Sequence, residues 1–297
     1  MDTPRTRSLG GSALASGVLA LACVAATAPA AGASPLHGKT HDLAYVALGD
    51  SAASGPAIPD QVDANCLRSS KNYPSLVATS LKATLTDVSC SSATTAEMTA
   101  PQGTAPPQFD ALGRSTKLVT LTIGGNDIGF STIIGTCATV SATDLAGAPC
   151  KAKYNEGGTD GVQDAVNATA PKVAEVLRDI KKRAPHARVV VVGYADIFPA
   201  DGGSCTSPTA PFAAGDFAWM RDGELALNAM LKRQARRAGA TYVDTYTPGV
   251  TRSVRTVMTG VAPSRTAPCS ARPAATPGAL SGPTHHIQGT PASRSAA

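Results

Sequence analysis

Apolar positions along the chain fall into two alternating patterns. Short continuous runs bounded by glycine or polar residues, Ala44-Tyr45-Val46-Ala47-Leu48-Gly49, Leu118-Val119-Thr120-Leu121-Thr122-Ile123 and Arg188-Val189-Val190-Val191-Val192-Gly193, have the length and β-branched content of strands buried on both faces. Thr84 to Val88 and Thr241-Tyr242-Val243-Asp244 read as further short strands. Between the runs lie stretches with helical spacing. Tyr73 to Leu81 is one, through Leu76, Val77 and Leu81. Val162 to Arg183 is the clearest, with Val166, Val173, Val176, Leu177 and Ile180 on one face and Asp179, Lys181, Lys182 and Arg183 largely off it. Phe217 to Ala238 is another, with Lys232, Arg233, Arg236 and Arg237 near its C-terminus, where cations suit the helix dipole, and Gly239 as its stop. Strands alternating with helices predict an α/β fold with a parallel sheet covered on both faces. Ile58 to Ser70 reads as a polar loop, and the stretch between Cys137 and Cys150 as long and irregular.

The two ends break this pattern. Arg5 and Arg7, an apolar segment from about Ala13 to Ala28, and the small residues Ala31-Gly32-Ala33 follow the order of a secretory signal peptide. Residues 1–33 are therefore read as a removed signal, 34–42 as a linker and 43–247 as the folded domain. A lipid anchor at Cys23 is disfavoured because Ala20, not a large aliphatic residue, stands three positions before it. No later apolar run is long enough to span a bilayer, so stable membrane insertion is not expected. After about Thr247, Pro, Ala, Ser, Thr and Arg replace the aliphatic periodicity, which predicts a disordered or aberrant tail over 248–297.

Composition narrows the function classes. A net charge of +5 on 297 residues is modest, and without a Lys/Arg stripe interleaved with aromatics a nucleic-acid partner is not expected. Cys66, Cys90, Cys137, Cys150, Cys205 and Cys269 are an even set in an oxidising compartment, so disulfides are the default reading. No cysteine or histidine spacing suits a metal, and none is expected.

The candidate chemistry sits where the strand runs end. Ser51 follows the first run, at the edge where open α/β sheets place their ligands. A serine there can expose its hydroxyl while the turn behind it offers backbone N–H groups to an oxyanion. Its plainer reading is a helix cap, and that of Asn126, after the second long run, is an Asn-Asp turn.

Two motifs together favour the chemical reading. Gly49-Asp50-Ser51, with Ser54-Gly55 behind it, resembles the first block of the SGNH (GDSL) hydrolases, and Gly124-Gly125-Asn126-Asp127 resembles that family's Gly-x-Asn-Asp. The resemblance implies a three-layer α/β/α sandwich with a central parallel sheet, flavodoxin-like in order. It also implies a secreted serine esterase or lipase that hydrolyses small-molecule or lipid carboxylic esters through an acyl-serine intermediate, without metal or organic cofactor. Ser51 would be the nucleophile, and the oxyanion hole would combine the Asn126 carboxamide with the backbone N–H groups of Ser51 and Ser92. Ser92 stands where the family usually has Gly, and Ala52 and Ala53 where it has Tyr and Ser. Asp50 and Asp127 are expected to fix loops. The resemblance further pairs Cys66 with Cys90 and Cys137 with Cys150, and makes Cys205 the first half of a third bridge whose partner is missing unless Cys269 substitutes. A carbohydrate acetyl esterase is the alternative that keeps the chemistry and changes the substrate.

The family's third block, Asp-x-x-His, cannot follow here, because Asp244 is the last acidic residue. His286, in Thr284-His285-His286-Ile287, is left as the base by position, while His186 reads as a surface residue and His37 and His41 as lying at the wrong sheet end. One explanation is a reading frame shifted near Pro248. Read one base out of phase, with GC-rich codons, Pro283 to Ala292 can give Asp-Ala-Pro-His-Pro-Gly-His-Ala-Gly, similar to the missing block; resequencing the gene tests this. A catalytically impaired, ligand-binding remnant is the other alternative.

Overall fold

A computed structural model describes residues 43–198, 205–207 and 210–247. The expected signal peptide and linker, the tail, and with it His285, His286 and Cys269, lie outside the described residues. The first strand, β1 (Ala44–Gly49), pairs in parallel with β4 (Thr84–Asp87) on one side and with β5 (Leu118–Thr122), the middle strand of the sheet, on the other. Beyond β5 come β6 (Arg188–Val192) and β7 (Thr241–Val243), also parallel. The order in the sheet is therefore β4-β1-β5-β6-β7. The chain steps outward from β1 to β4, then crosses back to β5. Between β1 and β5 the direction of winding reverses, and in such sheets that reversal opens a crevice at the carboxyl edge.

The two faces of the sheet are covered from different parts of the chain. Val46, Leu48, Val119, Leu121, Val189 and Val191 pack against helices α5 (Gly161–Arg183) and α6 (Asp216–Arg237) in one buried cluster. The periodic face of α5 read from the sequence, Val166 to Ile180, is buried there. Each such side chain contributes roughly 1.5–3 kcal/mol by leaving water. On the opposite face Tyr45, Ala47 and Leu118 meet Ala78 of α2 (Tyr73–Leu81). The bounds of α2 match the expectation, but its buried face does not. Pro74 and Ala78 point inward, while Leu76 and Leu81 are 63% and 50% exposed. The small Ala78 meets the bulky Tyr45, so the leucines that carry the spacing turn outward.

Two stretches expected as loops contain regular structure. Within 58–70, β2 (Gln61–Asp63) and β3 (Arg68–Ser69) form an antiparallel ribbon tied by an Arg68–Asp63 ion pair. The stretch between Cys137 and Cys150 is irregular only over 142–148, because its two ends are helical: Cys137 lies in α3 (Phe130–Ser141) and Cys150 in α4 (Pro149–Tyr154). The disulfide between them joins the two helices. The periodicity of α3 starts at Phe130, before the cysteine that drew attention, and α4 is too short to show one. A second disulfide links Cys66 to Cys90. Cys205 is buried with the first bridge in a cluster that includes Phe198, Phe217 and Trp219.

Candidate active site

The site is built where β1 and β5 end side by side. Gly49 is in register with Thr122, and the next N–H, that of Asp50, donates to the Thr122 carbonyl at 2.9 Å. Gly49 holds φ +145°, and a Cβ there would lie 2.5 Å from the Thr122 oxygen, so only glycine allows this approach. A buried glutamine brackets it from the far side. Gln108 accepts from the Gly49 N–H at 2.7 Å and donates to its carbonyl at 2.9 Å.

Asp50 then caps the short helix α1 (Ser51–Ser54), its Oδ1 accepting from the Ala52 N–H at 3.0 Å. Ser51 is the first residue of that helix and half-buried. The cap is thus Asp50, not Ser51, and the serine side chain has no capping duty. The N–H of Ser51 meets no acceptor among the described residues.

After β5, the Gly-Gly-Asn-Asp block winds into a tight turn. Ile128 N–H donates to Gly124 C=O at 3.2 Å, Gly129 to Asn126 at 3.0 Å and Phe130 to Gly125 at 3.1 Å. The Asn126 carboxamide donates one N–H to the Ala93 carbonyl at 2.8 Å. An amide nitrogen carries two protons, so a second N–H remains for a ligand. The Asp127 carboxylate binds the N–H and hydroxyl of Thr95 at 2.9 and 2.6 Å. It fixes a loop, as its position suggested. Ser92 sits on the turn so held, between Ser91 N–H to Cys66 C=O (2.9 Å) and Ala93 N–H to Cys90 C=O (3.1 Å). The Cys66–Cys90 bridge therefore lies directly behind this turn.

Ser51 and Asn126 line one cavity of about 960 Å³. Its walls are mostly apolar, with Val190 and Val192 on the sheet side and Phe130, Ile133 and Trp219 toward the helices. Ser92 is exposed and is not among the residues lining this cavity; it stands on the adjoining turn. His186 is exposed in the turn before β6, at the amino edge of the sheet, whereas Ser51 and Asn126 lie beyond the carboxyl ends of β1 and β5. Among the described residues no group of three or more His, Cys, Asp or Glu could hold a metal ion, and no helix is long and apolar enough to cross a membrane.

Residues without a motif complete the site. Tyr194, just past β6, and Tyr73, whose hydroxyl meets Thr122 Oγ1 at 3.0 Å, both line the cavity with Asp50. Burial pushes the Asp50 carboxyl up to about 7, against hydrogen bonds from Tyr194 and the Ala52 N–H that favour its ionised form. Glu224 of α6, also on the wall, is pushed by burial to about 8. Tyr194 was detectable only as the residue after the Arg188 to Gly193 run.

Known proteins resemble this chain in sequence and in fold. Residues 47–261 match the GDSL-like Lipase/Acylhydrolase family. The chain belongs to that family. It is 43% identical to Lipase 2 of Streptomyces coelicolor over 77% of each chain, and similar to an esterase of Streptomyces scabiei at 30% identity over 82% of this chain and 80% of the other. Among solved structures, the extracellular lipase of Streptomyces rimosus superposes with a TM-score of 0.58 at 30% identity, covering 69% of this chain and 81% of that one. Phospholipase A1 of Streptomyces albidoflavus gives 0.60 at 28% identity, covering 73% and 85%. As a GDSL-family member the chain is a carboxylic ester hydrolase of the SGNH type, with the fold expected from its two motifs.

Proposed function

We propose that this GDSL-family chain is a secreted serine hydrolase that cleaves esters of apolar acyl groups through an acyl-serine intermediate. The observation that carries the reading is the shared cavity of Ser51 and Asn126, at the winding reversal of the sheet and walled by apolar side chains. A hydroxyl with no capping duty and an unused carboxamide N–H on the wall of one cavity suit a nucleophile with an oxyanion donor. The apolar walls, Phe130, Ile133 and Trp219 among them, favour an acyl chain longer than acetyl. Secretion is supported by the two disulfides and by the likeness to an extracellular lipase.

In this reading Ser51 Oγ bonds to the carbonyl carbon as its proton passes to the base, His286, and the C=O π pair becomes the oxyanion. The second N–H of Asn126 and the N–H groups of Ser51 and Ser92 receive that charge; losing one such donor costs roughly 3 kcal/mol. Collapse re-forms C=O and expels the alcohol, which takes the proton from the base. Water then repeats the sequence on the acyl-serine and releases the acid. The test is p-nitrophenyl ester hydrolysis across acyl lengths by the chain and by Ser51→Ala. A loss of at least about 10³-fold in the variant, with a preference for longer acyl groups, is expected; equal rates would remove Ser51 as nucleophile.

A specific observation favours a second reading. With no acidic residue after Asp244, no Asp-x-x-His can orient a base, and the chain would then bind esters without turning them over. Binding of a non-hydrolysable acyl ether, measured calorimetrically alongside an absent rate, would identify that case.

A further inference from the structure

Tyr194 follows β6, and its ring reaches back across the carboxyl ends of three neighbouring strands. Its hydroxyl accepts from the Gly125 N–H at 2.8 Å and donates to Asp50 Oδ2. The proton count decides the direction. A backbone N–H can only donate, so the hydroxyl oxygen is the acceptor toward Gly125, and its single proton is left for the carboxylate. Gly125 precedes Asn126, and Asp50 precedes Ser51, with the other Asp50 oxygen capping α1 through the Ala52 N–H.

The tyrosine itself is held firmly. Asn228, buried on α6, accepts from the Tyr194 N–H at 2.8 Å and donates to its carbonyl at 3.0 Å. A Cβ on Gly125 would meet the Tyr194 hydroxyl at 3.0 Å, so a larger residue before Asn126 would push the tyrosine back by a few tenths of an ångström.

We propose that Tyr194 is a positioning residue for ester hydrolysis: its hydroxyl couples the turn that carries Ser51 to the turn that carries Asn126, keeping nucleophile and oxyanion donor in one relative placement. This rests on the roles given to Ser51 and Asn126 above. The coupling is strongest when Asp50 is ionised, because a carboxylate is the better acceptor for the hydroxyl proton. Asp50 is fully buried and its carboxyl is pushed up to about 7; the titratable groups facing it are Tyr194 after β6, Tyr73 on α2, and Asp127 after β5, whose charge adds to the rise. Protonation near neutrality therefore loosens the link.

The test follows the Ala52 and Gly125 amide resonances of the ¹⁵N-labelled full chain between pH 5 and pH 9. In the wild type both should titrate with one midpoint near 7. In Tyr194→Phe, Ala52 should titrate at a higher midpoint, since a bond favouring the carboxylate is gone, and the Gly125 amplitude should fall by about threefold or more. In p-nitrophenyl ester hydrolysis the same variant should lose about 10- to 100-fold in kcat, with KM within about threefold and the acid limb of the pH profile moved upward. A Gly125 resonance that ignores the Ala52 titration in the wild type overturns the coupling. So does a variant that keeps its kcat and acid limb while only its melting temperature falls. If the wild type hydrolyses no ester, the enzyme reading fails, and the amide titration still decides the coupling.

Discussion

Ser92 shows how a single backbone angle separates what a side chain does from where it is. Its φ of +69° lies in the left-handed region, which costs a non-glycine residue roughly 1–2 kcal/mol. The family's usual glycine at this position has a conformational reason, and the serine is tolerated because the Cys66–Cys90 bridge and the Thr95 contacts of Asp127 hold the turn from both sides. Ser92→Gly should therefore stabilise the chain by about 0.5–1 kcal/mol, the relief of strain exceeding the added freedom of the unfolded chain. It should leave ester hydrolysis within about twofold if the position contributes only its N–H. Ser92→Val, β-branched in the same conformation, should destabilise by at least about 1 kcal/mol. Urea unfolding with parallel rate measurements checks both. Ser51, Asn126 and Asp127 could be singled out from sequence because the short motifs that contain them follow readable strands. Gln108 and Tyr194 were not, because their partners Gly49 and Asp50 lie far away along the chain and no local pattern marks them.

At the scale of elements, α4 is a helix that its own sequence does not start. Ala148 at its N-cap has no side-chain bond to offer. The cap comes instead from Asp216, in the first turn of α6, whose carboxylate accepts from the N–H groups of Cys150 and Lys151 at 3.0 and 2.9 Å. Asp216 is fully buried, so removing it strands two donors in the interior. Asp216→Ala should cost about 2–4 kcal/mol in denaturant unfolding. Asp216→Asn should recover only part, because its amide group presents donors where one of the N–H groups needs an acceptor. An unchanged unfolding midpoint in Asp216→Ala would show that the cap contributes nothing. The same dependence explains which elements could be read in advance. The strands and the long helices α5 and α6 carry their burial pattern within themselves, whereas α4 and the β2–β3 ribbon exist through distant partners, and the inward face of α2 was chosen by Tyr45 across the interface rather than by its own leucines.

Among the described residues, the buried carboxyls of Asp50 and Glu224 shape the response of the whole molecule to pH, and Asp196, raised by partial burial, acts in the same direction. Asp50 is raised from 3.8 to about 7 and Glu224 from 4.5 to about 8, each mainly by burial. Between those limits the folded state keeps protons that the unfolded chain has released, so raising the pH favours unfolding. Their contribution is full below about pH 4 and is lost as the pH rises through 7 and 8. Asp179 and Asp244 are held below the usual range, and their effect falls at lower pH, outside this window. Unfolding free energy measured in urea should therefore decline from pH 5 to pH 8. Glu224→Gln, nearly neutral at pH 5, should raise stability at pH 8 by on the order of a few kcal/mol, and equal pH slopes for both proteins would refute the assignment. The sequence by itself determined the α/β alternation, the strands that build the sheet and the two motifs at their ends, because those properties depend on neighbours within a few residues. Only the tertiary structure decided the strand order with its reversal between β1 and β5, the cap of α4 and the Tyr194 link. These depend on atoms distant along the chain, brought within hydrogen-bonding reach when the apolar faces are buried together.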